Sequence, residues 1–161
     1  MSAFTLPDNN GSAPPATIFL AAPDMPGTIL RLMYPAYQDN VRFQVVSMGN
    51  RWEDVVTQVG SIRPEILVME ATLAPDPESL RAYLSQLVGT IVILVLPNVW
   101  LQFKGAFENL QSVRGVYLAP VNWAEIAKAT YSAVVTERTR FAAVSPATAL
   151  YQSLTGDEER G

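Results

Sequence analysis

The sequence predicts an α/β domain in which a doubly wound, five-stranded parallel sheet lies between two layers of helices. Two observations indicate this fold class. Five short aliphatic and β-branched runs alternate with five segments of helical periodicity, and the runs show little of the polar alternation of a strand with one solvent face. Short connections between such units favour right-handed crossovers and place a ligand crevice at the carboxyl ends of the strands.

The predicted elements follow a Pro-, Ser- and Asn-rich stretch, residues 1–15, which we expect to be a disordered tail. The strands are predicted at residues 17–22, 43–47, 66–70, 91–96 and 115–118. The helices are predicted at about 27–38, 51–62, 77–88, 99–111 and 123–138. With 161 residues and 49% hydrophobic content, the chain fits one domain, which we place at residues 16–138.

Start and stop signals support several of these helices. Asp76 followed by Pro77 provides an N-cap and a proline at the first helical position, and Asn122 with Glu125 resembles a capping box. Pro35 should kink or end the first helix at the residue before it, because proline removes a backbone donor and clashes with the preceding turn.

Composition excludes most familiar enzymes. The chain has no Cys and no His, so it can form no disulfide, Cys/His zinc site, Cys nucleophile or His general base, and we expect no enzymatic activity. A net charge of −4 with scattered Lys and Arg argues against nucleic-acid binding. The longest apolar run, 91–97, is far short of a membrane span, and the start lacks signal-peptide features, so we expect a cytoplasmic protein without membrane insertion.

Four segments at the ends of the predicted strands resemble the signature segments of the receiver domain of bacterial response regulators, the CheY-like family of signal transduction. These segments are FLAAPD (19–24), PEILVMEATLAP (64–75), IVILVLP (91–97) and GVYLAPV (115–121). By order and spacing the resemblance covers residues 16–138. It implies a flavodoxin/CheY-like three-layer sandwich with strand order 2-1-3-4-5.

The resemblance also implies that the phosphotransfer site is degenerate. The family has an acidic pair where this chain has Pro23 and Asp24, and a phosphoacceptor aspartate where it has Glu70. The family's Thr or Ser corresponds to Leu96, and its lysine corresponds to Ala119. We therefore expect a pseudo-receiver that needs no phosphorylation, with no cofactor and no metal site.

Two of these positions have simpler interpretations. Asp24 precedes the first predicted helix and is better explained as its N-cap than as a metal ligand. Glu70 is either a solvated residue at the rim or a mimic of a permanently charged state. We prefer the rim residue, because Leu96 and Ala119 leave its charge without partners.

The fourth predicted helix carries the widest apolar sector of the chain. Positions 99, 103, 106 and 110 should pack on the sheet, which leaves Trp100, Leu101 and Phe107 as a candidate interaction site for a homodimer or another protein partner. Receiver domains often pair through this region. An alternative function is a small-ligand sensor that uses the crevice at the carboxyl ends of the strands.

Residues 139–161 extend past the predicted domain as a helical extension or linker. Ser145-Pro146 followed by TALYQSL predicts a short capped helix. The degenerate pattern resembles the atypical receiver of TadZ/CpaE-type proteins of Flp/Tad pilus assembly or secretion, in which an ATPase domain follows. The chain contains no P-loop, so such an ATPase domain would be absent from it.

Overall fold

The computed structural model describes residues 4–5 and 14–155, with side chains for residues 14–142. Its sheet has six strands in the order β1-β3-β2-β4-β5-β6. The strands are β1 (Phe4–Thr5), β2 (Ala16–Ala21), β3 (Phe43–Gly49), β4 (Ile66–Glu70), β5 (Ile91–Leu96) and β6 (Val113–Leu118). Strands β2 to β6 pair in parallel, so the predicted fold class and the predicted order 2-1-3-4-5 are confirmed.

Helices cover both faces of the sheet. They are α1 (Met25–Gln38), α2 (Trp52–Ile62), α3 (Pro77–Ser85), α4 (Lys104–Glu108) and α5 (Trp123–Thr155), with 3-10 turns at Ala71–Leu73 and Asn98–Phe103. One core layer joins α1 and α5 to the sheet, and the other joins α2, α3 and α4 to its opposite face. In β4, Ile66 and Val68 enter the first layer while Leu67 and Met69 enter the second. This burial on both faces explains why the central strands β2, β4 and β5 are almost continuously apolar.

Three local features differ from the sequence predictions. Within the segment predicted to be a tail, Phe4–Thr5 pairs antiparallel with β3, whereas residues 1–3 and 6–13 lie outside the described part. Pro35 lies inside α1, which continues to Gln38. Leu32 and Ala36 on either side of Pro35 are fully buried, and their packing holds the helix together despite the missing backbone donor.

The third difference is the length of the last helix. α5 runs without interruption to Thr155, through the boundary predicted at residue 138 and through Ser145-Pro146. Alanine, the strongest helix former, occupies positions 142, 143, 147 and 149 and favours this continuation. Among the described residues, no helix combines the length and the apolar character that crossing a membrane requires.

Candidate functional site

The sheet brings the predicted degenerate positions together at its carboxyl edge. Pro23 and Asp24 follow β2, Glu70 ends β4 and Leu96 ends β5. Ala119 follows β6, and its backbone N–H donates to the Leu96 carbonyl over 2.8 Å. Residues separated by almost 100 positions in the sequence therefore meet at one edge, as expected for parallel strands joined by crossovers.

Glu70 has a partner that the sequence did not reveal. The Thr28 hydroxyl on α1 donates to Oε2 of Glu70 over 2.9 Å. Thr28 is fully buried and Glu70 is partly buried. The interpretation of Glu70 as a solvated rim residue without partners therefore needs correction, because α1 supplies a hydroxyl to its carboxylate.

The Asp24 carboxylate is engaged at the start of α1. Oδ1 accepts from the Gly27 backbone N–H over 3.4 Å, and Oδ2 accepts from the Arg31 guanidinium over 3.0 Å. The N-cap interpretation of Asp24 is confirmed. A Cβ on residue 27 would lie 2.4 Å from Oδ2 of Asp24, so glycine permits this close approach.

Leu96 and Ala119 contribute no polar side-chain atom to this edge. Leu96 is fully buried in the core layer beneath α2, α3 and α4, and Ala119 packs against the opposite layer and precedes a cis peptide to Pro120. Within residues 14–142, no group of three or more His, Cys, Asp or Glu side chains could hold a metal ion. At this edge the carboxylates of Asp24 and Glu70 are thus both already hydrogen-bonded within the protein.

The predicted interaction site is only partly at the surface. Phe107 is buried in the core, which corrects its assignment as an exposed interaction residue. Trp100 is half-buried against the same core layer, whereas Leu101 is exposed. Val99, expected to pack on the sheet, is also exposed. The prediction for these side chains rested on an α-helix with 3.6 residues per turn. Residues 98–103 instead form 3-10 turns with three residues per turn, which point the side chains in other directions.

A second apolar surface, which the sequence analysis missed, lies on α1. We call it the α1 stripe: Leu30, Tyr34 and Tyr37, each at least 60% exposed. Their spacing of four and three residues places them on one face of the helix. Tyr34 also accepts a hydrogen bond from the Gln38 side chain over 3.1 Å. Leu32 and Ala36 form the buried face of the same helix. The two sets of apolar residues, each at helical spacing, are a sequence signal for a helix that is apolar on two faces.

A charged pair at the opposite, amino end of the strands was also missed. Arg138 of α5 donates through Nε to Oε2 of Glu65 over 2.6 Å and through an Nη to Oε1 over 2.7 Å. Burial opposes ionisation of Glu65, but hydrogen bonds from Arg138 and Thr17 outweigh it and hold the pKa of this carboxyl below its usual value. The bond with Glu65 likewise raises the pKa of Arg138. The partners are 73 positions apart in the sequence, so no local sequence signal indicates the pair.

Together, the sheet order and the convergent loops define the receiver-domain fold of response regulators. Solved receiver domains are similar in structure throughout most of the chain. The signal receiver domain of a modulated diguanylate cyclase from Desulfovibrio desulfuricans G20 matches with a TM-score of 0.61 and 12% identity, covering 78% of this chain and 98% of that one.

Two further receiver domains give the same result. The response regulatory domain of mrkE from Klebsiella pneumoniae matches with a TM-score of 0.60 and 11% identity, covering 77% of this chain and 98% of that one. The REC domain of AraT from Geobacillus stearothermophilus matches with a TM-score of 0.59 and 14% identity, covering 76% and 98%. No family model and no curated protein matches the sequence. At these identities the likeness shows the fold alone.

Proposed function

We propose that this chain is a receiver-like domain that transfers no phosphoryl group and acts as a protein-interaction, dimerisation or localisation module. The observation that carries the proposal is the state of the carboxyl edge. Glu70 is hydrogen-bonded to a buried Thr28, and Leu96 and Ala119 stand where a receiver needs a hydroxyl and an amine.

The physical reason is that phosphoryl transfer relies on positioning and charge stabilisation. Negative charge develops on the transferred oxygens, and cations placed beside them supply most of the catalysis. Alanine at position 119 cannot supply such a cation, and the Arg31 guanidinium is paired with Asp24. The carboxylate of Glu70 is also one methylene further from the backbone than that of an aspartate, and a misplacement of about 1 Å can cost roughly 100-fold in rate.

Acetyl phosphate tests this proposal directly. After incubation with acetyl phosphate and Mg²⁺, the intact mass of the full chain should remain unchanged, while an active receiver domain treated in parallel gains a phosphoryl group. A stable mass gain that disappears in Glu70→Gln would overturn the proposal. Thr28→Val serves as a second variant, since a gain seen only there would mean that the Thr28 hydroxyl blocks an otherwise competent Glu70.

The interaction role is supported by apolar residues on the outside of the domain. Val99 and Leu101 are exposed beside the carboxyl edge, and the α1 stripe adds a second surface. Exposed aromatic and aliphatic side chains in contiguous groups are typical of protein contacts. We propose a second copy of this chain or another protein as the partner, and Leu101 and Tyr34 as the residues that identify the surface in use.

A more specific form of this proposal places the domain in the cytoplasm, in Flp/Tad pilus assembly or secretion. There it would act beside an ATPase domain that is absent from this chain. This form rests on the TadZ/CpaE resemblance of the degenerate segments. The alternative of a small-ligand sensor at the carboxyl edge has less support. A cleft of about 470 Å³ in the described part of the molecule lies at the other end of the strands.

A further inference from the structure

A cleft of about 470 Å³ opens at the amino ends of β5 and β6. One wall is the loop that leads into β5, residues 87–90, and another is the stretch of α5 from residue 134 to residue 141. Its floor includes Ile91 and Ser112 at the starts of the two strands. Volumes of roughly 300–1,000 Å³ are typical of sites for small molecules. The cleft lies at the opposite end of the strands from Glu70.

The charges around the cleft do not balance. Arg138 is matched by Glu65, which accepts with both carboxylate oxygens. The other carboxylate, Glu137, is shared by two guanidinium groups: Oε1 lies 3.1 Å from an Nη of Arg114 and 3.6 Å from an Nη of Arg140. Among the described residues that line the cleft, two cations therefore face one anion, which leaves one positive charge uncompensated.

Of the two arginines, Arg140 is the better placed to bind an anionic ligand. Its distance to Glu137 is longer than a hydrogen bond, and its side chain is mostly exposed. Arg114 is less available, since it also donates to the Gln111 carbonyl. With respect to the described part of the chain, the planar guanidinium of Arg140 therefore has donors free to bind a carboxylate in the bidentate manner.

Large apolar side chains line the same cleft. Val88, on the loop that leads into β5, is 92% exposed, and Phe141, on α5, is 70% exposed. Leu87 is half-buried beside them. An apolar group held between these walls would remove their surface from water, at a gain of roughly 25 cal/mol per Å² buried.

We propose that this cleft binds a small amphipathic monoanion, an aliphatic or aromatic carboxylate. The carboxylate would pair with Arg140, and the apolar part would lie between Val88 and Phe141. A single surplus charge fits a monoanion better than a phosphate ester, which carries more charge than the cleft can compensate. Because Phe141 lies beyond Val134, the last buried residue of α5 within residues 14–142, the bound molecule would join this part of α5 to the loop before β5. The inference does not depend on the proposed lack of phosphotransfer.

Octanoate is a suitable probe for the full chain, observed by amide chemical shifts in NMR spectra. We expect saturable shifts confined to residues 87–91, 112–114 and 134–142. Octanol and octylammonium, with the same chain and the wrong head group, should bind at least about tenfold more weakly, as expected when a bidentate charged contact is lost. Arg140→Gln should weaken octanoate binding by a similar factor. The matched control is Arg81→Gln, because Arg81 is an exposed arginine on α3, and this variant should bind octanoate like the wild type.

Val88→Ser provides a second variant with little risk to folding, because Val88 contributes almost nothing to the core. This substitution should weaken the binding of octanoate and the binding of octanol to a similar extent. The proposal is overturned if octanoate produces no saturable shifts, if the shifts map to the carboxyl edge, or if octylammonium binds as well as octanoate. It also fails if a folded Arg140→Gln variant binds octanoate like the wild type. None of these outcomes affects the acetyl phosphate result, so the two proposals fail independently.

Discussion

Replacing Arg138 by glutamine should destabilise the domain and change how its stability depends on pH. Arg138 connects α5 to two other parts of the molecule. It binds both carboxylate oxygens of Glu65 at the start of β4, and it donates to the carbonyls of Pro14 and Pro15 over 2.9 Å each. Glutamine keeps a polar side chain of similar reach but loses the charge and the planar fork.

The magnitude follows from these four bonds and their exposure. Fully buried charge-assisted hydrogen bonds contribute about 1.5–3 kcal/mol each. The side chains of Arg138 and Glu65 are 28% and 34% exposed, so water replaces part of what is lost. We expect a loss of about 2 kcal/mol in the free energy of unfolding, which lowers the melting temperature by roughly 4–8 °C in a chain of this size.

The pH dependence gives a sharper test. The pKa of Glu65 is lowered in the folded protein from the ordinary value of 4.5, so the pair stabilises the fold fully above that value. Its contribution is lost as the pH falls from 4.5 through the folded-state pKa. In urea titrations, the difference between wild type and Arg138→Gln should therefore be largest near neutral pH and should narrow below pH 4.5.

Arg81→Gln serves as the control, because Arg81 is an exposed arginine on α3, and it should unfold like the wild type. A double-mutant cycle with Glu65→Gln isolates the pair from the contacts with Pro14 and Pro15. If Arg138→Gln unfolds within about 0.5 kcal/mol of the wild type at neutral pH, or if the difference does not change with pH, then the pair contributes no net stability and the reasoning is wrong.

Three further predictions concern metal binding, alkaline stability and association. Millimolar Mg²⁺ should leave the melting temperature unchanged, because Asp24 is engaged by Arg31 and the N-terminus of α1; a saturable rise that vanishes in Asp24→Asn would reveal a site. Burial raises the pKa of Tyr83 from 10.0 to about 12, so stability in urea should fall as the pH rises between these values. Tyr83→Phe should lack that decline, and an identical decline would assign it to other groups. In sedimentation experiments at high concentration the chain should form a dimer, which either Leu101→Glu or Tyr34→Glu should weaken; a monomeric wild type would refute self-association.

The sheet could be predicted from sequence because each strand is encoded locally. Ile66–Glu70 and Ile91–Leu96 were predicted to the residue, since an apolar run bounded by loops specifies a strand buried on both faces. The convergence of Asp24, Glu70 and Leu96 then followed from topology. The N-cap role of Asp24 is equally local, because the cap and its donor are three residues apart.

The remaining features depend on three-dimensional geometry that cannot be read from the periodicity of the sequence. The burial of Phe107 and exposure of Val99 required knowing that residues 98–103 adopt 3-10 turns and not an α-helix. The partner of Glu70 is 42 residues away and belongs to the buried face of α1, where a threonine is not conspicuous. Glu65 and Arg138 are even further apart in the sequence. Neither contact could therefore be inferred from neighbouring residues.

The continuity of α5 carries its backbone far beyond the last buried residue that the structure describes. Val134 is the last buried residue on this helix among the described side chains, and the helix continues to Thr155. At 1.5 Å per residue that stretch is about 30 Å long, so a tilt of about 10° at its base would move its far end by about 5 Å. Small changes in packing around Arg138 could thus become displacements comparable to a full helical turn.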